Sequence, residues 1–223
     1  MKKHNILLKK ALVLFLSLII LSSLMCACRR SQVKNKESTK DSTNSTQITE
    51  KNDTPEWKTA YLNFLEQKKD SHNSYALVYV DGDDIPELYL SGKCEAGGDS
   101  ICSYINGTVI EQPLHRIGGG WYIEKSGTVF NQNGHMGNIY THVYKLNENG
   151  FALTFEALSV ERVEGSKNDG YKLYYEYSIG DKSANESEYN SAVEAAFDSK
   201  NAVRLNENEV NYDTIRQQII DFN

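Results

Sequence analysis

Four carboxylates stand close together in the segment Asp81-Gly82-Asp83-Asp84-Ile85-Pro86-Glu87-Leu88, which joins two apolar runs. Hard cations such as calcium take about six to eight oxygen ligands, and several carboxylates on one loop can supply some of them. Asp81, Asp83 and Glu87 are therefore the candidate calcium ligands. The same residues also fit a solvated turn, in which Asp81 and Asp83 accept hydrogen bonds from their own backbone.

This segment resembles the D-x-D-G-D-G-x-x-E-L segments of uncharacterised Gram-positive lipoproteins and, more distantly, the calcium loops of FG-GAP repeats. The resemblance implies a place between two strands near the start of an extracytoplasmic domain, and it implies no particular activity. Two positions depart from the pattern. Its first aspartate falls on Tyr79, and its turn glycine falls on Asp84.

The other residue patterns lack the partners that catalysis needs, so we predict no catalytic residues. Gly118-Gly119-Gly120 has no following Lys and Ser/Thr to complete a phosphate-binding loop, and no G-x-S-x-G elbow occurs. No paired-ligand spacing on a helix joins His115, His135 and His142, which are three of the five histidines. The sequence therefore favours a module that binds an extracellular ligand or an envelope protein.

Two alternatives stay open. One is an envelope hydrolase that uses a carboxylate pair such as Asp81 with Glu87, which requires two acids facing one cleft with one pKa raised. The other is a structural component of the cell envelope.

The N-terminal segment has the parts of a secretion signal. Residues 1–10 carry four lysines and no acid, and the apolar run over residues 11–24 is shorter than the roughly 20 residues of a membrane span. Met25-Cys26-Ala27-Cys28 follows and resembles the lipobox of bacterial lipoproteins. Cys28, preceded by Ala27, fits that pattern better than Cys26.

The lipobox resemblance implies a signal peptide over residues 1–27 and a diacylglyceryl group on Cys28, with Cys26 as the alternative. Two acyl chains anchor a protein stably, so we expect lipid attachment to the outer face of the cell membrane. A retained N-terminal anchor is the other interpretation. Residues 28–52 are almost entirely polar and predict a disordered tether, because they cannot bury enough apolar surface to fold.

Charge and cysteine use follow from this processing. Removal of residues 1–27 leaves 20 basic and 30 acidic residues, a formal charge of −10, which argues against nucleic acid as a partner. Cys94 and Cys102 are then the remaining free cysteines, in a compartment where disulfides persist. We predict a Cys94–Cys102 disulfide; free thiols or a metal pair are the alternatives.

The remaining sequence, over residues 53–223, predicts a single extracytoplasmic α+β domain: an antiparallel β meander with an N-terminal helix and two C-terminal helices. Thr54-Pro55 predicts the start of the first helix, and Asn211 the start of the last. Ser183-Ala184-Asn185-Glu186 is a candidate capping box before the other C-terminal helix. Turns between strands are predicted where Asn or Asp is followed by Gly: Asn106-Gly107, Asn133-Gly134, Asn149-Gly150 and Asp169-Gly170.

Overall fold

A computed structural model describes residues 54–167 and 169–223. These residues belong to one compact unit. The predicted signal peptide, the candidate acylation sites Cys26 and Cys28, and the predicted tether all lie outside the described residues. Within the described part of the chain, no helix is both long enough and apolar enough to cross a membrane.

The α+β fold class is confirmed, and the strands form two antiparallel sheets rather than one meander. The helices are α1 (Glu56–Lys68), α2 (Glu186–Ala196) and α3 (Tyr212–Asp221). The first sheet has the order β1-β2-β3-β4, with β1 (His72–Val78), β2 (Glu87–Gly92), β3 (Asp99–Ile105) and β4 (Thr108–Leu114).

The second sheet has the order β10-β9-β8-β7-β6-β5-β11. Its strands are β5 (Gly119–Ile123), β6 (Thr128–His135), β7 (Asn138–Asn147), β8 (Gly150–Ser166), β9 (Gly170–Ile179), β10 (Lys182–Ala184) and β11 (Ala202–Arg204). The short strand β11 returns from the C-terminal part of the chain and pairs with β5.

Alternation along the strands divides the interior into three apolar layers. Trp57, Tyr61 and Leu65 of α1 pack with α3 against one face of the first sheet. The other face of that sheet packs on the second sheet through residues that include Tyr89 and Tyr122. Helix α2 covers the outer face of the second sheet. The order of layers is therefore helix, sheet, sheet, helix.

Two of the predicted turns had different outcomes. Asn106 and Gly107 have φ values of 50° and 83° and form the β3–β4 turn, which confirms that prediction. The Asn133-Gly134 prediction is wrong, because both residues continue β6 and pair with β7. The turn lies further on, at Met136 and Gly137, whose φ values are 47° and 78°.

The helix starts also differ in detail. Pro55, rather than Thr54, is the N-cap of α1, and no side chain caps this helix. The capping box of α2 is formed by Asn185 and Glu188, because Ser183 is still part of β10. The Asn211 prediction is confirmed: its side chain accepts a hydrogen bond from the Thr214 N–H at 2.9 Å.

The predicted disulfide is corrected by the structure, in which Cys94 is exposed, Cys102 is buried and both are free thiols. Ser91 of β2 pairs with Asp99 of β3. Cys94 lies beyond that pair, whereas Cys102 lies three residues back along β3, about 10 Å at ~3.3 Å per residue. Disulfides require Cα atoms within about 7 Å of each other, so the pair cannot form without rearrangement.

The β8–β9 arm consists of residues 161–166 and 170–175. β7 ends opposite Val160. Beyond the Glu161 N–H, which donates to the Gly137 carbonyl at 2.7 Å, the described residues of these two segments pair as strands only with each other. One face of the arm carries four exposed apolar side chains, those of Val163, Tyr171, Leu173 and Tyr175. The arm thus extends past the part of the sheet that other elements support.

Candidate functional site

The acidic loop, residues 81–87, connects β1 to β2 and holds the three predicted calcium ligands. The Asp83 N–H donates to Asp81 Oδ1 at 3.1 Å, and the Ile85 N–H donates to Asp83 Oδ1 at 2.8 Å. These are the backbone bonds expected of a solvated turn. They fix the direction of both aspartates while leaving further lone pairs on their carboxylates.

Glu87, at the start of β2, is the buried member of the loop, with 1% of its surface exposed. The Val80 N–H donates to its Oε2 at 2.8 Å, and the Ser103 hydroxyl donates to its Oε1 at 3.2 Å. Burial, which disfavours the charged form, raises the pKa of Glu87 to about 8, with nearby Asp81 and Asp83 adding to the rise.

The three carboxylates meet the distance requirement of one calcium ion. One oxygen each from Asp81, Asp83 and Glu87 lies within 4.8 Å of the others. Ligands around calcium are each about 2.3–2.6 Å from the ion, so two of them lie at most about 5 Å apart. The donor set therefore fits calcium, with further ligands to come from backbone or water.

The hydrolase alternative loses its basis in this geometry. A catalytic carboxylate must reach its substrate, but Glu87 points into the interior between the two sheets and both of its oxygens accept internal hydrogen bonds. Its raised pKa results mainly from this burial. Asp81 and Glu87 therefore do not face one open cleft.

A second polar site, which we call the junction cavity, has a volume of about 240 Å³. It lies where β2 and β3 meet the chain entering β5 and the segment after β11. Its walls include Tyr89, Ser91, Asp99, Arg116, Gly118, Gly119, Gly120, Trp121, Arg204, Asn206 and Glu209. No pattern in the sequence predicted this site.

Asp99 is the satisfied acid of the junction cavity. The Tyr89 hydroxyl donates to its Oδ2 at 2.6 Å, and the Gly92 N–H donates to its Oδ1 at 3.0 Å. Burial raises the pKa of Tyr89, and the bond to Asp99 raises it further. This pair forms a fixed polar wall, because both carboxylate oxygens already have donors.

Glu209 differs from Asp99. Its Oε1 is buried and has no hydrogen-bond partner among the described residues. The backbone beside it is fixed, since Val210 and Tyr75 exchange two hydrogen bonds of 2.9 and 2.8 Å. Buried polar atoms in native proteins are almost always paired. The Glu209 carboxylate therefore differs from that of Asp99 in having an oxygen that no described residue satisfies.

Two cations complete the cavity wall. Arg116 Nη1 donates to the Gly92 carbonyl oxygen, and the Arg204 guanidinium lies over the Trp121 ring, 5.4 Å from its centroid. Neither arginine forms an ion pair with another described residue. The cavity thus holds charges of both signs that do not neutralise each other by direct contact.

The three consecutive glycines serve close packing beside this cavity. A Cβ on Gly118 would lie 2.2 Å from the Gln132 carbonyl oxygen, and Gly119 has a φ of +89°. Any other residue would clash at the first position and be strained at the second. This explains the glycine run without a phosphate-binding role.

Two of the histidines lie close together in the fold, although their separation along the sequence predicts no contact. The rings of His115 and His142 lie 6.3 Å apart between centroids. Burial lowers the pKa of His142, and the proximity of His115 lowers it further. His135 ends β6 and is exposed, so the three histidines do not form one cluster.

Comparison with known proteins identifies no relative. No family model matches this chain, and no match was found among curated proteins or among solved structures. Function must therefore be argued from the two sites themselves.

Proposed function

We propose that this chain is a lipid-anchored extracytoplasmic binding module that takes a small polar ligand into the junction cavity. The observation that carries the proposal is the buried, unpartnered Oε1 of Glu209 in a cavity that also holds Arg116 and Arg204. Binding sites typically combine a concave surface with a few convergent polar groups. The proposed setting on the outer membrane face rests on the Met25-Cys26-Ala27-Cys28 sequence.

The binding proposal is tested with the full chain, purified in mild detergent, in a thermal-shift screen of small sugars, amino acids, carboxylates and amines. A ligand at 100 times its Kd stabilises by about 2.7 kcal/mol. At roughly 2–4 °C per kcal/mol for a protein of this size, we expect an increase in Tm of about 5–10 °C for at least one compound.

The matched control is Asn206→Trp, which places a bulky ring at an exposed position in the wall of the junction cavity. Without ligand, we expect this variant to have the same Tm as the unsubstituted protein. With the compound added, we expect its Tm not to rise. A screen without any response, or equal responses in both proteins, would contradict the proposal.

Membrane anchoring is tested by the change Cys28→Ala. We expect the variant to lose incorporation of labelled fatty acid and to leave the membrane fraction, whereas Cys26→Ala keeps both. The reverse result would assign the acyl group to Cys26. Labelling that survives both substitutions together would overturn lipid attachment at this motif.

Calcium binding at the acidic loop is a second candidate function, favoured by the approach of three carboxylates to within 4.8 Å of one another. We expect excess calcium to raise the Tm relative to excess chelator. The double change Asp81→Asn with Asp83→Asn should abolish the difference, while Asp84→Asn, outside the ligand group, should preserve it. An unchanged Tm in the unsubstituted protein would exclude a calcium site of useful affinity.

A further inference from the structure

We infer that the junction cavity recognises a small zwitterion of the α-amino acid class, through Glu209 on one side and Arg116 with Arg204 on the other. This inference rests on the proposed function of the cavity as the ligand site. It adds the chemistry of the ligand, and each charged group of that ligand has its own partner in the wall.

Of the two acids in the cavity wall, one has an oxygen without a hydrogen-bond donor. Asp99 has a donor on each carboxylate oxygen and is held between Tyr89 and Gly92. Glu209 has an oxygen without a partner. A carboxylate in this state is satisfied best by a charged N–H donor, because such hydrogen bonds are roughly twice as strong as neutral ones. An ammonium group is the donor that a small ligand can bring.

The basic side offers more donors than the chain uses. A guanidinium has five N–H groups in a fixed plane. Arg116 uses Nη1 for the Gly92 carbonyl, and Arg204 lies with its Cζ 5.4 Å from the Trp121 ring centroid and makes no ion pair with a described residue. The planar edge of a guanidinium matches a carboxylate, which it binds through two parallel hydrogen bonds.

The separation of these charges selects against ligands with a single charge. Arg116, Arg204 and Glu209 line one cavity, yet no ion pair joins them. A simple anion would bind the arginines and leave Glu209 unpaired, and a simple amine would do the reverse. Arg204 is exposed and both Arg116 and Glu209 are half-buried, so an unpaired charge here costs part of what a fully buried one would. A ligand with both charges avoids that cost on each side of the cavity.

The cavity is large enough for a small ligand. Its volume of about 240 Å³ is several times the ~30 Å³ that one water molecule occupies in the liquid. A small α-amino acid is a ligand of the size that this space admits.

The inference is tested by isothermal titration of the detergent-purified full chain with the standard α-amino acids. The tightest binder is then compared with two analogues, one without its amino group and one without its carboxylate; for L-serine these are 3-hydroxypropionate and ethanolamine. We expect each analogue to bind at least tenfold more weakly. An analogue that binds as tightly as the amino acid would overturn the two-charge assignment.

Substitutions test which residue of the cavity wall binds each charged group of the ligand. Glu209→Gln should weaken amino-acid binding about tenfold and leave the affinity for 3-hydroxypropionate unchanged, while Arg204→Met should weaken both. The control is Glu207→Gln, an exposed acid on the same loop and outside the cavity wall, which should change neither. Equal affinities in Glu209→Gln and the unsubstituted protein would overturn the inference.

Failure of this inference differs from failure of the proposed function. If no amino acid binds but another small compound does, and Asn206→Trp abolishes its binding, then the cavity is the ligand site and only the zwitterion assignment is wrong. If no compound of any class binds, both are wrong.

Discussion

The acidic loop and the junction cavity lie at opposite ends of the same face of β2, and they treat their buried carboxylates in opposite ways. Glu87, at the start of the strand, has a hydrogen-bond donor for each oxygen. Glu209 reaches the cavity beside Tyr89, and its Oε1 has no donor among the described residues. A carboxyl group with internal donors contributes to folding, whereas one with a free oxygen can accept a donor from outside the chain.

The two sites also differ in the sign of their charges. Every ionisable group of the candidate calcium cluster is an acid. Burial raises the pKa of Glu87 and of Asp83, and the neighbouring carboxylates raise both further. The junction cavity combines two arginines with two acids. Only a cation relieves the first arrangement, while the second suits a ligand that carries both charges.

The largest effect expected from this difference is a dependence of stability on pH at the acidic loop. The folded pKa of Glu87 is about 8 against an ordinary value of 4.5. The folded state therefore retains a proton that the unfolded state loses, and stability falls as pH rises from 4.5 to 8. At ~1.4 kcal/mol per pKa unit, the loss reaches roughly 5 kcal/mol.

Urea denaturation in excess chelator at pH 5, 6.5 and 8 measures this loss, and Glu87→Gln should remove it because glutamine does not ionise. If the unsubstituted protein and Glu87→Gln respond equally to pH, then Glu87 does not carry the buried proton. Glu209→Gln is the counterpart in the cavity and should leave the pH response of the unsubstituted protein in place.

The next largest effect is the contrast between two alanine substitutions. Glu87→Ala leaves the Val80 N–H and the Ser103 hydroxyl without their acceptor and opens a void in the core, so we expect a loss of about 3 kcal/mol in the free energy of unfolding at pH 6. Glu209→Ala removes an unpaired buried oxygen and should cost less than about 0.5 kcal/mol. Equal losses of unfolding free energy in the two variants would contradict the distinction between Glu87 and Glu209.

A smaller effect is expected at Tyr89, which lies on β2 in the wall of the junction cavity. Tyr89→Phe removes the 2.6 Å hydrogen bond to Asp99 Oδ2 and keeps the ring. Because hydrogen bonds to charged groups contribute about 1.5–3 kcal/mol, we expect a loss of about 2 kcal/mol. A neutral result in urea denaturation would show that Asp99 finds another donor.

The smallest effect concerns Ser103, whose hydroxyl lies 3.2 Å from Glu87 Oε1. Ser103→Ala leaves the stronger backbone bond from Val80 in place, so we expect a cost of only about 1 kcal/mol. The Ser103 bond also favours the ionised carboxylate. The midpoint of the pH-dependent loss should therefore move to higher pH in this variant, and a shift to lower pH would contradict the assignment.

Local signals in the sequence predicted those parts of the molecule that depend on neighbouring residues. Asn106-Gly107 forms its turn because both positions adopt positive φ. Asn133-Gly134 carries the same signal but pairs with β7, so tertiary pairing overrode the local preference. The division into two sheets occurs between β4 and β5, where no sequence pattern marks a change of partner strand.

The two sites show the same limit of sequence-based prediction, which reaches contacts within one short segment but not contacts between distant segments. Asp81, Asp83 and Glu87 lie within one short loop, so their approach followed from the sequence. Arg116, Arg204 and Glu209 come from separate segments that meet only when β11 pairs with β5. The available signal was the position of Arg116 two residues before the glycine run, where the backbone must pack closely.

The β8–β9 arm has a consequence for local opening of the protein. Beyond Glu161, whose N–H donates to the Gly137 carbonyl, its two strands are paired only with each other, and isolated two-stranded hairpins are marginally stable in water. Amide protons of residues 162–166 and 170–175 should therefore exchange with deuterium through local opening, while those of β2 and β3 exchange only when the whole domain unfolds.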